Sequence, residues 1–172
     1  MAKRQSAGLV LYDFPGPDKR LRLLLGHPGG PIHARRDEDV WSIPKGEPDG
    51  DELLLDTAIR EFAEETGWAA PDCNDPIPLG WIRQKGGKIV WAWGVPGRWP
   101  EGRAVRSNTF PMTWPPRSKK TIDVPEVDRV AMMTLAEAAP RIKQPQMDLL
   151  CRLHAILAGG LPRDAFTRQP EP

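Results

Sequence analysis

Glu61, Glu64 and Glu65 are the residues of this chain whose types and spacing are best suited to chemistry. They stand at i, i+3 and i+4, so on a helix they project from one side. At about 100° per residue, that side lies opposite the stripe formed by Ile59 and Phe62. Arg60 is the single basic residue of the helix and sits at the cluster's edge. Like charges at this spacing destabilise an isolated helix by a few tenths of a kcal/mol. A divalent cation converts that cost into binding energy. Carboxylate oxygens suit Mg²⁺ or Mn²⁺, which commonly bridge to substrate phosphates. A bare Glu-x-x-Glu-Glu is more often a solvated acidic face, so its surroundings decide.

Those surroundings carry a longer pattern. The chain runs Gly46-Glu47-Pro48-Asp49-Gly50-Asp51-Glu52, then seven residues, then Arg60-Glu61-Phe62-Ala63-Glu64-Glu65-Thr66-Gly67-Trp68. This resembles the complete Nudix box, with every fixed identity at its spacing. The flanks fit as well. Ala7-Gly8-Leu9-Val10 resembles the opening of such domains. Trp41-Ser42-Ile43-Pro44-Lys45-Gly46, Pro125-Glu126-Val127-Asp128-Arg129 and Leu135-Ala136-Glu137-Ala138 resemble the branch of diadenosine polyphosphate and diphosphoinositol polyphosphate hydrolases.

The resemblance implies an α/β fold, the Nudix-type α/β/α sandwich with a mixed β-sheet. It implies that Glu61, Glu64 and Glu65 hold Mg²⁺ or Mn²⁺, with the Gly46 carbonyl as a further ligand. Arg60 is expected to orient those carboxylates and Glu52 to pair with it, since the groups behind metal ligands set ligand geometry. Glu61 ranks first as the base that activates water and Glu126 second. Lys45, which abuts the box, and Arg35 and Arg36 in the loop before it are candidates for binding substrate phosphates. For Arg35 and Arg36 an ordinary solvated loop charge is an equal reading. Arg117, Lys119 and Lys120 form a second basic cluster shortly before Glu126, read first as a solvated loop and second as a contact for an extended phosphate chain.

The implied reaction is metal-dependent hydrolysis of a phosphoanhydride in a nucleoside diphosphate linked to another group. Dinucleoside polyphosphates come first. Nucleoside triphosphates, ADP-ribose, and capped or triphosphorylated RNA ends are alternatives, as is a non-catalytic nucleotide sensor. No Ser or Cys stands in triad-like spacing, so no covalent intermediate is expected. His27, His33 and His154 show no metal-ligand spacing.

The elements that must position these residues follow from periodicity. Residues 6–12 and the Leu21, Leu23, Leu25 alternation predict two strands joined as a hairpin through the turn Pro15-Gly16-Pro17-Asp18. Residues 27–40 read as a loop. Trp41–Ile43 reads as a short extended piece stopped by Pro44. The helix is expected over 51–66, with Asp51 as N-cap, Leu55, Ile59, Phe62 and Thr66 facing the core, and Gly67 as its stop. Two strands flank Lys85-Gly86-Gly87, and Trp91 and Trp93 share a face. The stretch 96–125 reads as irregular, with one strand near Thr109 to Trp114. Val127–Met133 reads as a strand. Thr134 to Glu137 forms a capping box opening a short helix. Met147, Leu150, Cys151, His154 and Leu157 mark a last amphipathic helix. Residues 1–160 are expected to form one domain and 161–172 a flexible tail.

Composition narrows the setting. A formal net charge of +1 argues against broad capture of nucleic acid. The two cysteines, Cys73 and Cys151, lie far apart and read as free thiols. No run is long and apolar enough to span a membrane, and the short stretch from Ala7 to Tyr12 does not make a signal peptide of the basic start. A cytoplasmic protein is the expectation. Dimers are common among similar proteins, so a homodimer is open.

Overall fold

The computed structural model describes residues 4–15 and 17–167. Residues 1–3, Gly16 of the expected turn, and residues 168–172 of the expected tail lie outside the described residues.

β1 (Gln5–Asp13) and β2 (Arg22–Pro28) are buried almost throughout. Their side chains alternate between two separate cores. Leu9, Leu11 and Leu24 face one; Val10, Tyr12, Leu23 and Leu25 face the other. A strand that buries both faces requires cover on both sides, so helices must sit above and below the sheet.

The β1–β2 hairpin pairs only at its closed end, Tyr12 with Leu23 and Asp13 with Arg22. Beyond that the strands part and residues 42–46 wedge between them. Ser42 bridges to Gly26, the Leu9 N–H donates to the Pro44 carbonyl at 3.2 Å, and β3 (Lys45–Gly46) pairs antiparallel with β1. The extended run therefore does not stop at Pro44. The position asks Pro44 for an acceptor, not for the N–H it lacks. Gly8 admits the wedge, because a Cβ there would meet the Pro44 carbonyl oxygen at 2.5 Å and the Lys45 Cβ at 2.7 Å.

β4 (Ile77–Arg83) and β5 (Ile89–Pro96) pair antiparallel around residues 85–87, as the spacing predicts. β5 lies parallel to β1. The region 96–125 contains two strands where one was expected: β6 (Thr109–Thr113) and β7 (Thr121–Pro125), which pair only with each other. Thr121–Pro125 alternates Ile122 and Val124 with polar residues, but it is short, follows the Lys119-Lys120 pair and ends in Pro125, so it reads as loop. β8 (Val127–Met133) completes the main sheet beside β2. The order is β4-β5-β1-β2-β8 with β3 on β1, a mixed sheet.

α1 (Leu54–Thr66) covers one face; α2 (Leu135–Ala138) and α3 (Gln144–Leu157) lie on the other. The result is an α/β/α sandwich. α1 starts later than expected: its N-cap is Leu53, with no side-chain cap, and not Asp51. Glu52 causes this. Its carboxylate accepts from the Asp49 N–H, the Thr57 hydroxyl and Arg60, which holds the preceding residues in a turn. Gly67 ends the helix at φ 71°. The buried stripe is Thr57, Ala58, Phe62 and Thr66, while Leu55 and Ile59 are only half-buried. The helix is thus rolled from the expected orientation, and Glu61 and Glu65 face the sheet's β3 margin, not the side opposite the core.

The capping box at Thr134 and Glu137 forms as expected. α3 buries Gln146, Leu149, Leu150, Leu153 and Ile156, whereas Cys151 and His154 are exposed, so its face is also rolled. Trp91 is buried and donates to Gln5 Oε1, and Trp81 and Trp93 pack against the α1-side core. Residues 161–167 return along the molecule. Arg163 pairs with Asp75 at 2.8 Å, and Phe166 packs against the α3-side core beneath the Arg152 guanidinium. Cys73 and Cys151 are free thiols. Among the described residues no helix is long and apolar enough to cross a membrane.

Candidate active site

Arg60 is the hub. Its Nε and Nη2 grip both Glu52 oxygens at 3.0 and 2.8 Å. Its Nη1 donates to Glu61 at 2.9 Å and Glu64 at 3.1 Å, and Nη2 also donates to the Glu47 carbonyl at 3.0 Å. All five guanidinium N–H groups are engaged. Arg60 holds the Glu52 carboxyl down at about 2, with the Asp49 N–H and the Thr57 hydroxyl adding to the effect. That stabilising ionisation is complete above the ordinary carboxylate range and is lost on acidification toward pH 2.

Lysine has three donors and no planar fork. Arg60→Lys is therefore expected to weaken Mn²⁺ binding by roughly ten- to a hundredfold with the fold retained, as read by Mn²⁺ titration beside circular dichroism.

Glu61 lies against β3. A Cβ built on Gly46 would fall inside the Glu61 carboxylate, so only glycine leaves it room. Burial pushes the Glu61 carboxyl up, Arg60 pulls it down, and Glu64 and Glu126 push it up again. Glu65 accepts from the Lys45 N–H at 3.1 Å. Burial raises its carboxyl to about 7; Lys45 opposes this, and Glu126 and Glu61 add to it. The Lys45 side chain turns inward, where desolvation lowers its pKa against the pull of Glu65 and Glu61.

Glu64 is the more exposed carboxylate, with 37% of its side chain accessible. Asn108 from the long insertion docks on it: its N–H donates to the Glu64 carbonyl at 3.2 Å and its amide reaches Glu64 Oε2 at 3.4 Å. The Glu126 N–H donates to the Asn108 carbonyl at 2.9 Å, and the Val127 N–H to Ser107 Oγ at 3.0 Å. Residues 107–108 thus splice the carboxylate helix to Glu126. Sequence reasoning missed both residues. An Asn in a Pro- and Arg-rich stretch gives no signal, because the pairing spans more than forty positions.

Gly46, Lys45, Glu52, Arg60, Glu61, Glu64 and Glu65 come together, with Glu126 near enough to act on two of them. Arg35 and Arg36 do not join by direct contact. They lie exposed in a loop tied to the site through the Gly29 N–H, which donates to the Glu126 carbonyl at 3.1 Å. Buried His27 braces that loop, contacting Asp128 Oδ1 at 2.8 Å and the Arg36 carbonyl at 2.7 Å.

The donor set is oxygen only, and burial raises two of its members with the neighbouring carboxylates adding to the effect, which fits a hard divalent cation. As the side chains stand, no three acidic, His or Cys groups among the described residues enclose one ion position. Arg60 draws Glu61 and Glu64 to itself while β3 holds Glu65.

Fold and site together define a carboxylate-helix α/β/α sandwich. The chain belongs to the Nudix hydrolase family: the family model described as the NUDIX domain matches residues 2–153. A protein of Mycobacterium tuberculosis (strain CDC 1551 / Oshkosh) named as a mutator protein, MutT4, is 41% identical over 63 residues, 36% of this chain. The match spans only 23% of that relative's length. A Caenorhabditis elegans Ap4A hydrolase binary complex superposes with a TM-score of 0.57 at 24% identity, covering 91% of this chain and 98% of the other. The NUDIX domain of Shewanella oneidensis NrtR complexed with ADP ribose gives a TM-score of 0.61 at 18% identity, covering 91% and 90%. These structural likenesses show the fold.

Proposed function

We propose that this chain is a Mg²⁺- or Mn²⁺-dependent hydrolase that cleaves a phosphoanhydride bond in a nucleoside diphosphate linked to another group, with dinucleoside polyphosphates as the first substrate class. The supporting observation is the gathering of Glu61, Glu64 and Glu65 on one helix, the first two bonded to Arg60 and the third to the Lys45 N–H, with Glu126 tied to that helix through the Asn108 splice. A divalent cation held by Glu61, Glu64, Glu65 and the Gly46 carbonyl supplies charge neutralisation and polarisation of the anhydride.

The chain's own groups do the rest. Arg60 and Glu52 fix the ligands so that little reorganisation is needed. Glu61 takes the proton of the attacking water. Glu126 is the second candidate for that role. Lys45 balances charge beside Glu65. The Pro44-Lys45-Gly46 and Glu126 resemblance ranks dinucleoside polyphosphates ahead of ADP-ribose.

The test is a nucleotide-release screen over diadenosine tetraphosphate, ADP-ribose and nucleoside triphosphates with Mg²⁺ or Mn²⁺. Parent protein and Glu64→Gln are compared. Glu64→Gln is expected to lose about three orders of magnitude in turnover with its fold intact. Equal rates in the two proteins would defeat the assignment.

A further inference from the structure

We propose that the β6–β7 hairpin is an anion-gripping arm for the part of the substrate beyond the scissile anhydride. The proposal rests on the hydrolase reading above. The arm is rooted in the site: Asn108, which immediately precedes β6, is bonded to Glu64 and receives the Glu126 N–H, and Glu126 immediately follows β7. From Thr109–Pro125 to Thr113–Thr121 its strands pair only with each other. At about 3.3 Å per residue they carry the tip roughly 15 Å from that root. A tip at that distance from its root would meet the far end of an elongated substrate and not the diphosphate at the carboxylates.

The tip is built for negative charge. It is closed by the Trp114 N–H to the Lys120 carbonyl and the Ser118 N–H to the Pro115 carbonyl, both at 3.0 Å. It exposes Arg117, Lys119 and Lys120, none of which forms an ion pair among the described residues. Asp123 is the sole acid between residues 109 and 125. Arg117 sits at φ 66°, where a glycine would cost less. A cation therefore stands where the backbone favours glycine. The ligand class is a phosphoryl chain carried by the distal half of a nucleoside polyphosphate, so a substrate with a neutral distal group gains nothing from the arm.

Three proteins decide it: the parent, the Arg117→Ala/Lys119→Ala/Lys120→Ala triple variant, and Arg83→Ala as a control cation on β4. Lys119→Gln/Lys120→Gln, which leaves the Arg117 backbone untouched, guards against a collapsed turn. Calorimetric titration with inorganic tripolyphosphate in EDTA reads the arm without metal or turnover. The triple variant is expected to bind roughly tenfold or more weakly, the double variant less so, and Arg83→Ala like the parent. With Mg²⁺, the KM for diadenosine tetraphosphate should rise in the triple variant at unchanged kcat, and the KM for ADP-ribose should stay put.

Equal tripolyphosphate affinity in parent and triple variant, or no measurable binding by the parent, overturns the proposal. So does an equal KM rise on both substrates, or tighter binding of an unphosphorylated RNA oligonucleotide than of tripolyphosphate. A parent that cleaves neither substrate while the binding difference persists sinks the hydrolase reading instead.

Discussion

Glu65→Gln is expected to abolish turnover and, without divalent cation, to make the protein more stable above pH 7. The two effects share a cause. Glu65 is largely buried, faces Glu61 and Glu126, and ionises only at about 7. In the unfolded chain the same carboxyl ionises in its ordinary range. The folded state therefore holds the proton over a window in which the unfolded state has released it. Stability is lost as pH rises from about 4.5 to about 7 and is flat above.

The cost at pH 8 is about 3 kcal/mol, which Gln does not incur. Gln keeps an oxygen for the Lys45 N–H; the Lys45 ammonium loses its partner charge, which trims the gain. In EDTA the Tm of Glu65→Gln should exceed the parent's by roughly 5–10 °C at pH 8 and match it at pH 4.5. Saturating Mg²⁺ should raise the parent alone. A Tm difference that does not change with pH would show that Glu65 is not paying a burial cost.

Gly46→Ala should do the converse, disabling the site with little change in stability. The added methyl occupies the place of the Glu61 carboxylate. The atoms it displaces are the free end of a flexible side chain, so the backbone need not move and the pairing of β3 with β1 survives. The carboxylate, however, leaves the position beside Gly46 and carries the Arg60 contact at 2.9 Å with it. We expect Mn²⁺ affinity to fall at least tenfold and turnover roughly a hundredfold, with Tm within a few degrees of the parent. Titration and differential scanning calorimetry on one preparation check both halves. A large fall in Tm at unchanged Mn²⁺ affinity would mean that Gly46 matters to the backbone and not to Glu61.

These two positions also mark the limit of what could be read ahead of the structure. The box from Gly46 to Trp68, the strand on each side of Lys85-Gly86-Gly87, the capping box at Thr134 and the Gly67 stop are local matters. Each depends on residues within a few positions of one another, so period and capping chemistry suffice. The start of α1 is not local, because Glu52 is used by Arg60 and Thr57 in preference to the helix end, a competition among three side chains. β3 was hidden behind Pro44, whose missing N–H the sheet never asks for.

By itself the sequence determined the family, the acidic helix and the alternation that forces helices onto both faces of a sheet. Those follow from side-chain type and from spacing along one chain. Only the tertiary structure decided that Glu61 presses on Gly46, that Asn108 joins Glu64 to Glu126, and that residues 42–46 separate β1 from β2. Each of these is a contact across a long loop, selected by which surfaces exclude water and satisfy their hydrogen bonds together, and no local pattern encodes that choice.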